Sequence, residues 1–405
     1  MTKTETAGAE RTGAEGAVAG GMARPARPAG DPAARAGAIL DIDLDAAAWN
    51  YRRLKAELGT AATCAAVVKA DGYGLGAAAL APVFVRAGAD TLFVATIDEG
   101  LALRGLLDAA GHADVAIYIL NGPLPGAEED LRAFGLRPVL NSLGDLALWR
   151  DAARAAETPL PAALHVDTGM SRLGLDDAER ARLAEAPGAA LAGVRLTHII
   201  SHLACAETPG DPENAAQLAR FRAARNRLPP VPASLANSSG IFLDAAYHFD
   251  LARPGVALYG VNPTPGRAPP MRRVVTLRAR VLQVRQIDAS RGVGYGATFR
   301  AQGPTRVATL AAGYADGVLR AGSNRMRVAF GGRLLPVIGR VSMDSITVDV
   351  TTLPADTPVP GDFMDLIGDG HDVDALAEDL GTSGYEVLTA LGRRSYRVHH
   401  GGEGD

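Results

Sequence analysis

Lysine is almost missing from this chain of 405 residues: Lys and Arg together number 41, yet lysine stands only at positions 3, 55 and 69. Cysteine is nearly as scarce. Cys64 and Cys205 lie in apolar stretches, lack metal-ligand spacing and are too few for a disulfide framework, so both are expected to be buried free thiols. Aromatic residues make up 5% and no basic cluster with interleaved aromatics occurs; with a net charge of −4 and a pI near 6.1, this excludes an electrostatic footprint for nucleic acid or an anionic membrane. No run approaches the roughly 18 to 20 apolar residues that cross a bilayer. What remains is a chain for small-molecule chemistry, with a cytoplasmic location and no membrane or nucleic-acid partner as the expectation.

What is present divides the chain in three. Residues 1–36, rich in Ala, Gly, Arg and Pro and without an apolar core of signal-peptide length, read as a disordered extension. Residues 37–45 read as an N-terminal strand that pairs with the C-terminal domain, with Asp45 capping a helical pattern that runs to Leu58. From 46 to 264, apolar strand-like runs at Cys64–Val68, Thr91–Val94, Val115–Leu120, Leu164–Val166, Leu196–Ser201 and Val231–Leu235 alternate with Ala/Leu/Arg-rich helical segments. That alternation over roughly 220 residues predicts a parallel sheet closed as a (β/α)8 TIM-type barrel. Residues 265–405 read as a mostly β domain, with β-branched runs at Val274–Thr276, Val281–Val284 and Val307–Leu310, loop from Leu353 to Asp362 and one late helix at Val373–Leu380. The fold class is therefore α/β, a barrel followed by a β-rich domain.

Lys69 ends the apolar run Cys64-Ala65-Ala66-Val67-Val68, where solubility alone does not call for a charge. Arginine replaces lysine as a cation, but its guanidinium stays protonated and does not attack an aldehyde. A lysine at the carboxyl end of a barrel strand also lies where barrel active sites form. The Gly-rich turn Ala70–Gly76 follows it, and two further turns, Ala236–Gly240 and Arg253–Val256, are candidate anion cradles. Each of these is equally readable as an ordinary turn or cap. With Lys69 they describe a site for a phosphorylated aldehyde. Other polar residues read as structural: Tyr259 and Tyr314 as partly buried aromatics, His198 as packed rather than metal-bound, Asp41 and Asp43 as a strand edge, and His248, His371, His399 and His400 as loop or tail residues.

In these residues the chain resembles the alanine racemase family, and the resemblance runs from about Ile42 to Arg397. It rests on Val67-Val68-Lys69-Ala70-Asp71-Gly72-Tyr73-Gly74, Asp167–Gly174, Ser201–Ala204, Ala236–Ser238, Arg253–Gly260, Gly294–Thr298, Gly313–Gly317 and Gly339–Asp344, in order and at similar spacing. The resemblance implies pyridoxal 5'-phosphate as cofactor, joined to Lys69, with Tyr73, Ser238, Gly255 and Val256 on its phosphate. It further implies Arg253 at the pyridine nitrogen with His202 beside it, and Arg172 at the phenolic oxygen. Tyr295 as second catalytic base and Met343 as a contact of the substrate carboxylate would reach in from the partner subunit of a homodimer with shared active sites.

The implied reaction interconverts L-alanine and D-alanine by two-base proton transfer, supplying D-alanine for peptidoglycan. Racemisation needs an acid and a base on both faces of the substrate, and the ordinary pKa values of lysine and tyrosine, about 10.4 and 10, must fall for them to act near neutrality. An always-charged arginine at the ring nitrogen makes a shallower electron sink than a carboxylate, which argues against a barrel-type decarboxylase. The resemblance also extends to a broad-specificity serine/alanine racemase and to a binding-only regulatory protein, but the latter shares the barrel alone and lacks a β domain to supply Tyr295 and Met343.

The chain departs from the family pattern at two places. Many members carry a carbamylated lysine at the position of His165, bracing the arginine at 172; neutral His165, or an anion beside it, is expected to orient Arg172 here. A C-terminal phosphate-binding tyrosine of some relatives falls on Arg393 in a gapless reading and on Tyr396 by local similarity.

Overall fold

The computed structural model describes residues 31–402, of which 36–402 belong to one compact unit. The expected disordered extension lies, for residues 1–30, outside the described residues; Ala33–Arg35 forms one 3-10 turn.

The strand Ala38–Asp43 pairs antiparallel with the long strand Val275–Ile287 and parallel with the last strand, Tyr396–His400. The helix Leu44–Leu58 starts directly after it. Asp43, not Asp45, caps this helix: its carboxylate accepts from the Ala46 N–H at 2.8 Å, while Asp45 sits in the first turn. The short Asp43 side chain meets the free N–H groups as soon as the strand ends, so the helix begins earlier than the apolar pattern indicates.

The barrel follows. Seven parallel strands stand side by side in chain order: Ala66–Val67, Thr91–Val94, Ala116–Ile119, Arg137–Leu140, Leu160–His165, Val194–Ile200 and Ala233–Ser234. An eighth, Leu251–Ala252, pairs parallel with Thr63–Cys64. Backbone N–H groups of Ala65 and Val67 donate to Ala252 and Pro254, and those of Asp250 and Arg253 donate to Ala233 and Ala236, so the ring closes. Phe93 and Tyr118 stack inside it at 4.9 Å between centroids. The expected barrel is thus present, but two of its strands are not legible in the sequence. Arg137–Leu140 contains Pro138, which argues against a central strand, and Leu251–Ala252 is two residues between turns.

The C-terminal β domain centres on Val275–Ile287, which also pairs with Phe363–Ile367 and Thr305–Leu310. The two β-branched runs expected there are one strand, kept continuous across two bulges. The expected helix Val373–Leu380 is joined by a second, Gly384–Ala390, whose opening glycine hides it from a propensity reading.

Several polar residues are more firmly placed than the sequence indicates. His371, expected in a loop, is fully buried, its ring bridging Leu366 O and Asp379 Oδ2 at 3.0 Å each, while Arg327 donates to the same carboxylate. His248 is buried against Ile241 O, and His399 and His400 lie in the terminal strand, not a tail. Cys64 is a buried free thiol as expected, whereas Cys205 is half-exposed, because its loop runs along the barrel rim.

Burial alone would raise the Asp379 carboxyl, but hydrogen bonds from the Arg327 side chain and backbone and from His371 outweigh it and hold the group below the ordinary carboxylate range. Its stabilising contribution is therefore complete above that range and fades as pH falls through the lowered folded value. Asp379→Ala is expected to cost about 2 to 4 kcal/mol in urea unfolding at pH 7. The difference from wild type should shrink below about pH 4.

Candidate active site

Lys69 leaves the first barrel strand at its carboxyl end, and the backbone after it turns left-handed: Ala70 (φ 53°, ψ 47°), Asp71 (φ 53°, ψ 50°), Gly72 (φ 62°, ψ 47°) and Tyr73 (φ 55°). Such a turn costs L-residues about 1 to 2 kcal/mol each. It is held by Glu99, which caps its own helix and accepts from the Ala70 N–H at 2.7 Å, and by Asp71, which accepts from the Ala77 N–H at 2.9 Å. Gly74 completes it, since a Cβ there would stand 2.6 Å from Leu388 O. The result is that Tyr73 is buried, its ring 4.7 Å from that of Tyr259, with its hydroxyl aimed at Gly255.

The other two turns converge on this place. Ser238 Oγ accepts from the N–H groups of Gly255 and Ala257 at 3.0 and 3.3 Å, and Asn237 Oδ1 accepts from the Gly240 N–H at 2.9 Å. Next to them Ser239 Oγ is buried without a hydrogen-bond partner. A Cβ at Gly255 would lie 2.2 Å from Tyr73 Oη, so only glycine lets the two turns meet.

Arg253 is buried beneath, donating to Ser234 Oγ and, at 2.5 Å, to Ser201 O. Burial pushes its guanidinium down to about 10, which leaves it charged at neutral pH. Burial, followed by the nearby Arg253, Arg172 and Lys69 cations, holds His202 well below the ordinary histidine range, so it is neutral. Burial, with Arg172 adding to it and Glu99 opposing, lowers the Lys69 ammonium from its ordinary value, which increases the fraction of free amine near neutrality.

These residues line one cavity of about 840 Å³: Lys69, Tyr73, Arg172, His202, Ser238, Arg253, Gly255 and Val256 all reach its wall. Two of the residues singled out from the sequence do not. Tyr295 and Met343 lie in the β domain, 72% and 52% exposed, and are not in the cavity wall of their own chain. Arg393 and Tyr396 are not there either: Arg393 points outward and Tyr396 pairs with Ile39. The tyrosine that enters from the C-terminal domain is Tyr385, whose hydroxyl donates to Glu207 Oε1 at 3.3 Å. It opens the helix Gly384–Ala390 that the sequence does not announce, and with it Ser383, Glu386 and Thr389 join the wall. Tyr259 is fully buried with its hydroxyl bonded to Val67 O, whereas Tyr314 is largely exposed; His198 meets the Tyr118 hydroxyl through Nδ1.

The donor set suits a phosphorylated pyridine aldehyde. An amine of lowered basicity, a cradle where the Tyr73 and Ser238 hydroxyls meet a Gly255 backbone that a Cβ would block, and a buried guanidinium answer its aldehyde, its phosphate and its ring nitrogen in turn.

Comparison with known proteins agrees. The N-terminal domain model of alanine racemase matches residues 42–263 and the C-terminal domain model residues 274–399. The chain is 51% identical to the alanine racemase of Acidiphilium cryptum over 359 residues, 89% of this chain and 98% of that protein. It is 50% identical to the catabolic alanine racemase of Mesorhizobium japonicum over 369 residues, 91% and 95% of the two chains. The crystal structure of alanine racemase from Bartonella henselae with covalently bound pyridoxal phosphate superimposes with a TM-score of 0.86 at 42% identity, covering 90% of this chain and all of that one. Both domain models in order, and half of all residues shared over nine-tenths of the length, mean that this chain belongs to the alanine racemase family.

Proposed function

We propose that this chain interconverts L-alanine and D-alanine with pyridoxal 5'-phosphate, and that Lys69 both holds the cofactor and moves the α-proton on one face of the substrate. The observation that carries the reading is the meeting of Lys69, the Tyr73–Gly255–Ser238 cradle and Arg253 in one cavity. Bound there, the cofactor supplies a sink for the electron pair left when the α-proton departs. The chain's own residues do the rest. Ser238, Gly255, Val256 and Tyr73 would hold the phosphate, and Arg253, whose guanidinium at about 10 stays charged near neutral pH, would offer the ring nitrogen a hydrogen bond rather than a proton. Arg172 would hold the phenolic oxygen, with neutral His202 near Arg253. Lys69, its ammonium destabilised by burial, takes the proton at Nζ from one enantiomer and returns it to the other.

The second face needs a second group that acts as acid and base opposite Lys69. We assign this role to Tyr295 of a second copy, with Met343 beside it binding the substrate carboxylate; their exposure in the single chain supports a homodimer with shared sites. Lys69→Ala and Tyr295→Phe are each expected to be inactive alone. Refolded together they should recover about a quarter of wild-type activity, because half of the dimers then carry one intact site; no recovery would place Tyr295 outside a shared site.

The reading extends to a cytoplasmic protein without membrane or nucleic-acid partners, supported by the net charge of −4 and by two cysteines left free. Among the described residues no helix is long and apolar enough to cross a membrane. Supply of D-alanine for peptidoglycan is tested by rescue of a bacterial strain that requires D-alanine.

The test of the function itself is direct. Purified protein should show a visible cofactor band that borohydride bleaches, absent in Lys69→Ala, and coupled assays should show both enantiomers of alanine turning over. A band without turnover of either enantiomer refutes the racemase reading.

A further inference from the structure

His165 ends the fifth barrel strand with its ring in the wall of the same cavity as Arg172. Its Nδ1 lies 2.8 Å from Asn141 Oδ1. The Asn141 amide has one orientation available, because its Nδ2 donates to Leu120 O and Val139 O at 3.0 Å each, which leaves Oδ1 as the acceptor. The proton on the ring must then be on Nδ1. Across the ring, a Cβ built on Gly174 would stand 3.0 Å from His165 Cδ2, so the ring edge away from Nδ1 faces Gly174, two residues along the chain from Arg172. Arg172 itself has no hydrogen-bond acceptor among the described residues, and its guanidinium has donors to spare.

We propose that His165 is a positioning residue: held by Asn141 with its proton on Nδ1, it presents the Nε2 lone pair to the Arg172 guanidinium and so orients that arginine in the loaded site without a negatively charged group. The surroundings keep the ring neutral. Burial first, then the Arg253 and Arg172 cations, against a smaller opposing effect of Asp167, push His165 down to about 4. A neutral acceptor suits this wall, where Lys69, Arg172 and Arg253 are already cations: it accepts from Arg172 without drawing Lys69 into an ion pair that would keep its amine protonated. The assignment of Arg172 to the cofactor rests on the function proposed above; the state of the histidine does not.

The experiment uses the cofactor-loaded enzyme labelled with 15N-histidine, with the His165 signals identified by their loss in His165→Gln. Between pH 6 and 9 Nδ1 should be protonated and Nε2 bare, and Asn141→Leu should release the ring into a mixture of tautomers; a proton on Nε2 in the wild type overturns the proposal. His165→Leu, which removes the acceptor, should lower kcat/KM about tenfold to a hundredfold, whereas His165→Gln, which keeps a neutral acceptor, should stay within about threefold of wild type. Equal activity of the leucine variant overturns the proposal, and so does a loss of wild-type activity on stripping bicarbonate that added bicarbonate restores. Should the leucine variant fail to fold, the wild-type spectrum and the glutamine variant decide. A wild type that does not racemise defeats the functional reading while leaving the tautomer measurable.

Discussion

Lys69→Arg is expected to abolish racemisation, with rates from either enantiomer at least about 10⁴-fold below wild type, although charge, length and burial are nearly preserved. Arginine keeps a cation at the end of the first barrel strand and so leaves the electrostatics of the cavity largely intact. What it removes is an amine that can be both nucleophile and base, since a guanidinium keeps its proton near neutral pH and does not attack an aldehyde. Burial and Arg172 have lowered the Lys69 ammonium for this purpose. The same shift has a sign that can be read in wild type: because the folded value lies below that of an ordinary lysine, the rate governed by the free amine should rise with pH and level off before about pH 10.4. Initial rates across pH, with circular dichroism to show that the variant is folded, check both statements.

Gly255→Ala is the second large effect, and it arises far from any charge. The added Cβ would fall 2.2 Å from Tyr73 Oη and 3.0 Å from its ring carbon. Tyr73 has little room to retreat, because its backbone is fixed in the left-handed turn and its ring packs, tilted by 31°, against the buried Tyr259. The turn at 253–257 must shift instead, and with it the Gly255 N–H that Ser238 holds. Overpacking of this kind costs about 1 to 3 kcal/mol, so cofactor affinity should fall roughly tenfold to a hundredfold, measured by titration of apo protein with pyridoxal phosphate. Combining it with Tyr73→Phe removes the closest atom and should return part of the loss; two changes that simply add would show that the contact is not the cause.

How far the site is legible without the fold differs from residue to residue. Lys69 stands out because lysine is so rare here that its place after an apolar strand needs a reason. Ser238, Arg253 and Gly255 are readable as turns but not as parts of one cradle, since only barrel closure brings residues 69–73, 236–240 and 253–257 together. The left-handed run at Ala70–Tyr73 is invisible to propensity, because alanine and tyrosine enter that region only when the surroundings impose it. Tyr385 escapes the sequence for a related reason: its helix opens with glycine and is two turns long, so the pattern points to Arg393 and Tyr396, which lie outside the cavity. Asp43 shows the limit for local structure, where one residue decides between strand end and helix cap.

The central claim is that Lys69 exchanges the α-proton of alanine within this cavity. It is tested most directly by incubating the pyridoxal-phosphate-loaded protein with L-alanine in deuterium oxide and following the α-proton by NMR alongside chiral analysis. Loss of the α-proton signal together with appearance of D-alanine carrying deuterium at Cα, neither occurring with Lys69→Arg, is the predicted result. Retention of the α-proton by alanine in the presence of the folded, loaded wild-type protein would contradict it.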